Sequence, residues 1–432
     1  MRVLFMSSSP IVREISLGNT FLNVFEDIEN VEFASIFTRA GAPDPKISQG
    51  FCITEKMILN GIVKKTPVGK RISCSDNKNT ENQPNKSDEK EQSIINFMKT
   101  RRWTVFFWLQ NLIWKTGKWK SAELRNFVEE YDPDVIFTLL SNTSFLNNLI
   151  LYVLSITNAK LMLYAWDNNY LLKQFYLSPL RWINHFINRV SMRKVAKKAD
   201  KFYVISDIQK EEYEKCFNTN CKILTKFADF SAPAPKWTVP EGKLKMLYTG
   251  NLGQGRWKSL ALVSDAIEKL NAEGQKIELD IYSATPLTEK MKNALSKNGS
   301  NIHPPVSFET VQTLQREADV LVHIEGLSLQ NRLTVHQSFS TKLVDYFRMG
   351  KCIFAVGKDD EASIKHLIDN NAAVVAQSAP EVYEKLKALC EHREQLADYG
   401  KKAYECGAKH HDKSTMQTML REDLKAVCEN KG

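Results

Sequence analysis

The strongest constraint on this chain is an alternation of short apolar runs with helix-length segments, set out in two blocks. In the first block the runs are Arg2–Ser7, Val31–Thr38, Val135–Leu139, Leu161–Ala165 and Phe202–Ile205. They are rich in Val, Ile, Leu and Phe and lack strict apolar–polar alternation. Strands covered on both faces read this way. Helical segments fall between them at Ser121–Tyr131, Ser144–Thr157 and Asp207–Phe217. Such an order predicts a parallel sheet with helices on both sides.

The second block predicts strands at Leu244–Tyr248, Ile277–Tyr282, Asp319–Ile324, Cys352–Val356 and Ala373–Ala376. Helices are expected at Ser259–Ala272, Leu287–Lys297, Ser340–Met349, Ala362–Asn370 and Pro380–Cys390. Between the blocks runs TKFADFSAPAPKWTVPEGK (225–243), with three prolines and no periodicity, which reads as a linker. The total of 432 residues suits two cores better than one. The expected domains are therefore 1–225, a linker at 226–243, and 244–410. A C-terminal helix within 411–432 would be placed to pack back on the first half. Residues 73–93 are nearly devoid of apolar side chains and are read as a flexible surface insertion.

Composition removes several classes. With 43% hydrophobic and 25% charged residues the chain is globular. The opening MRVLFMSSSP is read as a buried strand rather than a secretory leader, and no run is long and apolar enough to span a bilayer. The eight cysteines are scattered without a CxxC pair, and His410 and His411 are adjacent, so neither a disulfide framework nor a metal site is expected. The net charge of +9 is concentrated in the first half. Residues 101–127 carry six basic residues and one acid, and 173–201 carry eight and one. Trp and Phe interleave with the cations in 101–120 and in the Phe175–Lys201 stretch. That mixture suits an anionic membrane surface, a single-stranded nucleic acid, or amphipathic helices with a buried aromatic face. His185 is read as a helix-surface residue.

Two segments carry the chemistry. In KLKMLYTGNLGQGRWKSLALVSDAIEKL (243–270) a strand leads into Gly250, Gly253 and Gly255, then Arg256 and Lys258, then a helix. Glycines allow close backbone approach, a helix start offers free N–H groups to an anion, and the cations can neutralise a diphosphate. The alternative is an ordinary strand-to-helix turn with solvated charges. The spacing matches neither a P-loop nor GxGxxG. In HQSFSTKLVDYFRMGKCIFAVG (336–357) Ser340 or Thr341 can cap a helix whose first turn holds Lys342. A cation there opposes the helix dipole unless an anion lies nearby. Asp345 follows on the same face, suited to ribose hydroxyls or to a plain pair with Lys342.

Together with ADKFYVISDIQKEEYEK (199–215) and DVLVHIEG (319–326), these stretches resemble the C-terminal half of a retaining GT-B glycosyltransferase. The similarity is to the group-1 type that builds bacterial surface polysaccharides, and it runs from about residue 160 to 390. It implies an α/β fold of two Rossmann-like domains with an interdomain cleft. The family's two glutamates, with seven residues between them, fall at Gln337 and Asp345, the second binding ribose. Glu325, at the end of a predicted strand, is a candidate to stand in for the first, with a rim or structural role as its alternative. Arg256 and Lys258 match the family's basic pair. Asp167, in LMLYAWDNNY, would face the acceptor; its alternative role is to cap a turn with Asn168 and Asn169.

The resemblance implies transfer of a hexose-type sugar from a nucleoside-diphosphate sugar to a hydroxyl of a glycan or lipid-linked acceptor. It implies no cofactor, no metal and no nucleic-acid partner. The expected location is cytoplasmic, peripheral on the inner face of the cell membrane. A non-catalytic nucleotide-sugar-binding module and a sugar-nucleotide epimerase are the alternatives on the same fold.

Overall fold

The structure, a computed structural model, describes residues 1–13, 16–73 and 104–429. The insertion read at 73–93 lies, apart from Ser73, outside them, as do Arg101–Trp103 of the first basic stretch. The first half contains β1 (Arg2–Ser7), α1 (Ser16–Val24), β2 (Glu32–Phe37), β3 (Gln49–Cys52), α2 (Glu55–Val63) and β4 (Lys70–Ser73). It continues with α3 (Thr104–Thr116), α4 (Ala122–Tyr131), β5 (Val135–Leu139), α5 (Ser144–Ser155) and β6 (Lys160–Tyr164). It ends with α6 (Pro179–Ala196), β7 (Lys201–Val204), α7 (Asp207–Phe217) and β8 (Cys221–Ile223). The eight strands form one sheet in the order β4-β3-β2-β1-β5-β6-β7-β8. Every pairing is parallel except β3 with β4. That antiparallel edge was not legible: QGFC and KRIS are short and neither is an apolar run.

The second half holds β9 (Leu244–Thr249), α8 (Arg256–Ala272), β10 (Ile277–Tyr282), α9 (Glu289–Leu295), β11 (Ser300–His303), α10 (Phe308–Glu317) and β12 (Val320–Ile324). Then come α11 (Leu329–Val335), α12 (Thr341–Met349), β13 (Cys352–Val356), α13 (Ala362–Asp369), β14 (Val374–Ala376), α14 (Ala379–Glu391), α15 (Glu394–His410) and α16 (Lys413–Glu429). Its six-stranded sheet, order β11-β10-β9-β12-β13-β14, is parallel throughout. Two α/β layers, each around its own sheet, are therefore observed.

The central strands are buried on both faces, as their composition required. In β1, Phe5 stacks on Phe33 at 5.3 Å and meets Phe25 and Phe137 edge-on. Each such pair adds roughly 1 kcal/mol beyond area burial. His185 is corrected: it is buried, its Nε2 2.9 Å from the Leu171 carbonyl. It belongs to the inward stripe of α6 with Asn188, Met192 and Val195.

Helix α16 leaves the second half and lies on the first. Asp423 is 2% exposed, and its carboxylate takes hydrogen bonds from Tyr203 and Lys222 and pairs with Lys201 at 2.8 Å. Lys413 and Gln417 of the same helix bond Asp27. Burial alone would raise the Asp423 pKa, but the Lys201, Lys222 and Tyr203 hydrogen bonds outweigh it and the pKa is lowered. Its contribution to stability is therefore present above the ordinary carboxylate range and lost as pH falls below it. Asp423→Ala should detach α16, costing about 2 kcal/mol and raising amide exchange across Lys413–Glu429. Unchanged exchange there would refute the anchoring role.

Candidate functional site

The sheet order of the second half reverses between β9 and β12. Crossovers leave these neighbours in opposite directions, so a crevice opens beyond their carboxyl ends. Thr249 ends one strand and Ile324 the other, and the residues just beyond them are Gly250 and Glu325. Gly250 has φ 155°, and a Cβ there would collide with the Lys342 ammonium. Gly255 has φ 76°, occupies the N-cap position of α8, and a Cβ there would strike the Asn331 amide. Only glycine satisfies both conditions. Gly253 gives its N–H to Asn251 Oδ1.

Three charges meet here. Arg256, first residue of α8, donates from Nε and Nη2 to Glu325 Oε2 at 3.1 and 2.9 Å. Glu325 is 4% exposed, and burial pushes its pKa up against the opposing pull of Arg256 and Lys342. The Lys342 ammonium stands 5.3 Å from the Tyr248 ring centroid. Burial, with repulsion from Arg256, pushes its pKa down to about 8. Behind them burial, aided by the two cations, lowers His323 to about 3 and keeps it neutral. His323 Nε2 lies 3.5 Å from Glu325 Oε1 without hydrogen-bond geometry. Two cations against one carboxylate leave a surplus positive charge.

Two helices begin at this point without side-chain caps. Gly255 offers none, and Ser340, the N-cap residue of α12, makes no capping hydrogen bond. Thr341 is exposed in the first turn. At α8 the first N–H groups turn back onto the loop, Arg256 to the Gly253 carbonyl, Trp257 to Leu252 and Lys258 to Gly255, so it is the dipoles of the two helices that add to the positive potential. A cavity of about 440 Å³ adjoins the loop, lined by Gly250, Asn251, Tyr282, Ser283, Pro305 and Val306.

Lys258 is not part of this cluster. It is exposed, its ammonium 5.8 Å from the Trp257 centroid. The sequence pairs Arg256 with Lys258; the structure pairs it with Glu325 and Lys342. The reason is helical phase: Lys258 is two residues into α8 and points away from the crevice.

The first half supplies the opposite wall. Asp167 follows β6, and its turn is closed by its backbone carbonyl, which accepts from Asn169 N–H at 2.8 Å. The carboxylate is thus not the turn cap. It accepts instead from Ser338 Oγ at 3.3 Å, across the cleft. The group is open to solvent on one side yet surrounded by protein on the others, and burial raises its pKa. Asp345 is held by Lys226, whose Nζ lies 2.7 Å from both carboxylate oxygens.

Gln337 is fully buried. Its amide donates to Glu212 Oε2 at 2.7 Å, and its backbone carbonyl accepts from Ser206 Oγ at 2.8 Å. Glu212, on α7 of the first half, also binds Lys173 at 2.6 Å and His336 at 3.1 Å. Burial would raise its pKa, but hydrogen bonds from His336, Lys173 and Gln337 lower it to about 2. Sequence reasoning missed Glu212 and Lys173, since their partners are distant in the chain; His336 lies 124 residues from Glu212. Among the described residues no group of three or more His, Cys, Asp or Glu is set to hold a metal.

No family model matches the sequence, and no curated protein matches it. Solved structures do. HepE of Anabaena in complex with UDP aligns with TM-score 0.62 at 11% identity, over 99% of this chain and 100% of that one. Sucrose-phosphate synthase of Thermosynechococcus elongatus aligns with TM-score 0.60 at 9% identity, over 99% and 98%. A glycosyltransferase of Rickettsia africae aligns with TM-score 0.57 at 13% identity, over 99% of both. The fold is GT-B. At these identities the likeness is one of architecture: two Rossmann-like domains facing each other. In the GT-B frame the Arg256–Glu325–Lys342 cluster and the Gln337–Glu212 contact lie at facing carboxyl ends of the two sheets.

Gln337→Glu would set a second buried carboxylate against Glu212. Two carboxylates in one site cannot both ionise freely, so a stability loss of roughly 1–3 kcal/mol is expected, largest above pH 5. Thermal melts of the variant across pH test this; a variant as stable as the parent at neutral pH would exclude the arrangement.

Proposed function

We propose that this chain is a glycosyltransferase that takes a hexose-type sugar from a nucleoside-diphosphate donor. The single observation that carries the reading is the Arg256–Glu325–Lys342 cluster beneath the Gly250 loop, at the switch point of a GT-B sheet, between two uncapped helix starts. A diphosphate fits the surplus positive charge. Arg256 can turn part of its fork from Glu325 to a phosphate oxygen, while Lys342 acts as a point charge. Both would stabilise the negative charge that grows as the sugar–phosphate bond breaks. Asp345 keeps lone pairs free of Lys226 and can accept ribose hydroxyls. The cavity beside Gly250 has room for the base. The crystal structures of HepE with UDP, with UDP and glucose, and with UDP-glucose support a uridine donor.

Asp167, with its raised pKa, is the carboxylate nearest an acceptor approaching from the first half. It would orient the acceptor hydroxyl. In a retaining reaction the departing phosphate oxygen takes the hydroxyl proton on the same face as attack, so no separate strong base is needed. The acceptor in this reading is a glycan or lipid-linked hydroxyl of a surface polysaccharide. A non-catalytic nucleotide-sugar-binding module is the second reading; the engagement of Gln337 by Glu212 favours it, because that amide is already committed.

Calorimetry with UDP, alongside a donor-hydrolysis assay, separates the two. Lys342→Met should weaken UDP binding about 10- to 100-fold, the worth of one charge-assisted hydrogen bond, whereas Lys258→Ala should leave it near the parent value. The reverse ranking would sink the assignment. UDP binding without turnover of any donor would favour the module.

The free Lys342 ammonium titrates near pH 8. An anion favours the charged form, so its bound pKa must be higher. Affinity for UDP should be flat from about pH 7, where its terminal phosphate is already doubly charged, to pH 8 and fall above that, and binding at pH 8.5 should take up a proton, seen as a buffer-dependent heat. In Lys342→Met the proton uptake should vanish.

A further inference from the structure

Nineteen large apolar side chains are exposed among the described residues, and fourteen of them fall in three short stretches of the first half. These are 59–63 on α2, 107–112 on α3, and 172–190 before and along α6. The most exposed are Leu177 at 89%, Val63 at 78% and Val190 at 60%. Helix α2 packs on α3, and α3 on α6, so the three stretches lie on adjoining helices.

The phase of α6 shows that this face is separate from the core. Its inner stripe is His185, Asn188, Met192 and Val195, all buried. A second stripe, Leu180, Ile183, Ile187 and Val190, recurs at spacings of three and four and is exposed. Lys194 and Lys197 continue that outer stripe, and both are exposed. An outer stripe that is apolar and then cationic suits neither a core-facing nor a water-facing helix.

The charges on this face are of one sign. Helices α3 and α6 contain no acidic residue, and neither do the flanking segments 171–178 and 117–120. The acid of α2, Glu55, is turned inward, accepting from Gln110 Nε2 at 2.7 Å and Trp114 Nε1 at 2.9 Å. The exposed cations include Lys56, Lys64, Lys65, Lys115, Lys118 and Arg193. Among the described residues no helix is long and apolar enough to cross a membrane.

We infer that the outer face of α2, α3 and α6 docks on an anionic lipid bilayer, lying in its interface. The apolar stripes enter the headgroup boundary while the lysines and arginines meet lipid phosphates. The segment from Asp167 to Ser178 runs from the cleft wall straight into α6. A docked molecule therefore holds its acceptor side beside the membrane. That last step rests on the transferase reading; the docking does not.

The test is flotation of the full chain with phosphatidylcholine vesicles, with and without phosphatidylglycerol. Binding is expected to the anionic vesicles, weakening with salt. Ile183→Asp with Val190→Asp, both at exposed positions, should weaken it at least about tenfold, and Lys194→Glu with Lys197→Glu by a similar factor. Parent and variants should share one far-ultraviolet spectrum and one UDP affinity. Failure of the parent chain to float, or flotation of both variants like the parent, overturns the proposal. So does a dimer on a sizing column that Ile183→Asp with Val190→Asp converts to monomer, since the face would then belong to a second copy. Loss of UDP binding by the parent would count against the donor reading and leave the docking result intact.

Discussion

Everything at the site follows from the reversal of strand order between β9 and β12. Both strands are buried on both faces, so their side chains can only pack. Polar chemistry is confined to the residues just past their carboxyl ends. Glu325 stands at one such end with 4% exposure. An unpaired carboxylate there would cost several kcal/mol. Arg256 and Lys342 offset that cost, and each is itself half-removed from water. Hydrophobic replacements would pack as well or better. Packing alone therefore does not call for an ionic cluster here, and its excess positive charge is what the proposed diphosphate would meet.

The two halves are joined by specific bonds. Ser206 caps α7 and at the same time donates to the Gln337 carbonyl, so one hydroxyl both starts a helix and crosses the cleft. Glu212 binds His336 and Gln337, and Lys226 binds Asp345. At the far side α16 returns to the first sheet through Asp423. These polar contacts stand beside an apolar seam, for Ile205 and Leu224 of the first half share one buried cluster with Phe339, Leu343, Leu420 and Leu424.

Much of this was legible in the sequence, and the failures have physical causes. The doubly buried strands announced themselves by composition, and the proline-rich 225–243 separated the sheets because such a stretch offers no periodic face to pack. Gly250, Gly255, Arg256 and Lys342 were found as candidates because local geometry dictates glycine at a tight approach and a basic residue beside a helix start. Lys258 was grouped with them because spacing along a chain hides the helical phase that turns it outward. The β3–β4 edge was invisible since edge strands bury little. His185 was misread because α6 has two apolar stripes, and composition alone does not say which one faces inward. Glu212 left no local signal at all, since its role exists only once residues more than a hundred positions apart meet.

Glu212 also changes the meaning of Gln337. By resemblance an acid is expected at position 337, yet a neutral amide stands there and donates to a carboxylate from the other half. The amide is what that neighbour demands: a carboxylate at 337 would be repelled, while an amide N–H satisfies Glu212 and closes the cleft contact. The negative charge of this corner is thus carried by α7 instead of by the loop before α12. Gln337, His336 and Glu212 thus join the two halves, while Arg256, Glu325 and Lys342 all belong to the second half. Lys173 comes from the same half as Glu212 and pairs with it at 2.6 Å, so the first half brings this corner a carboxylate already matched by its own cation.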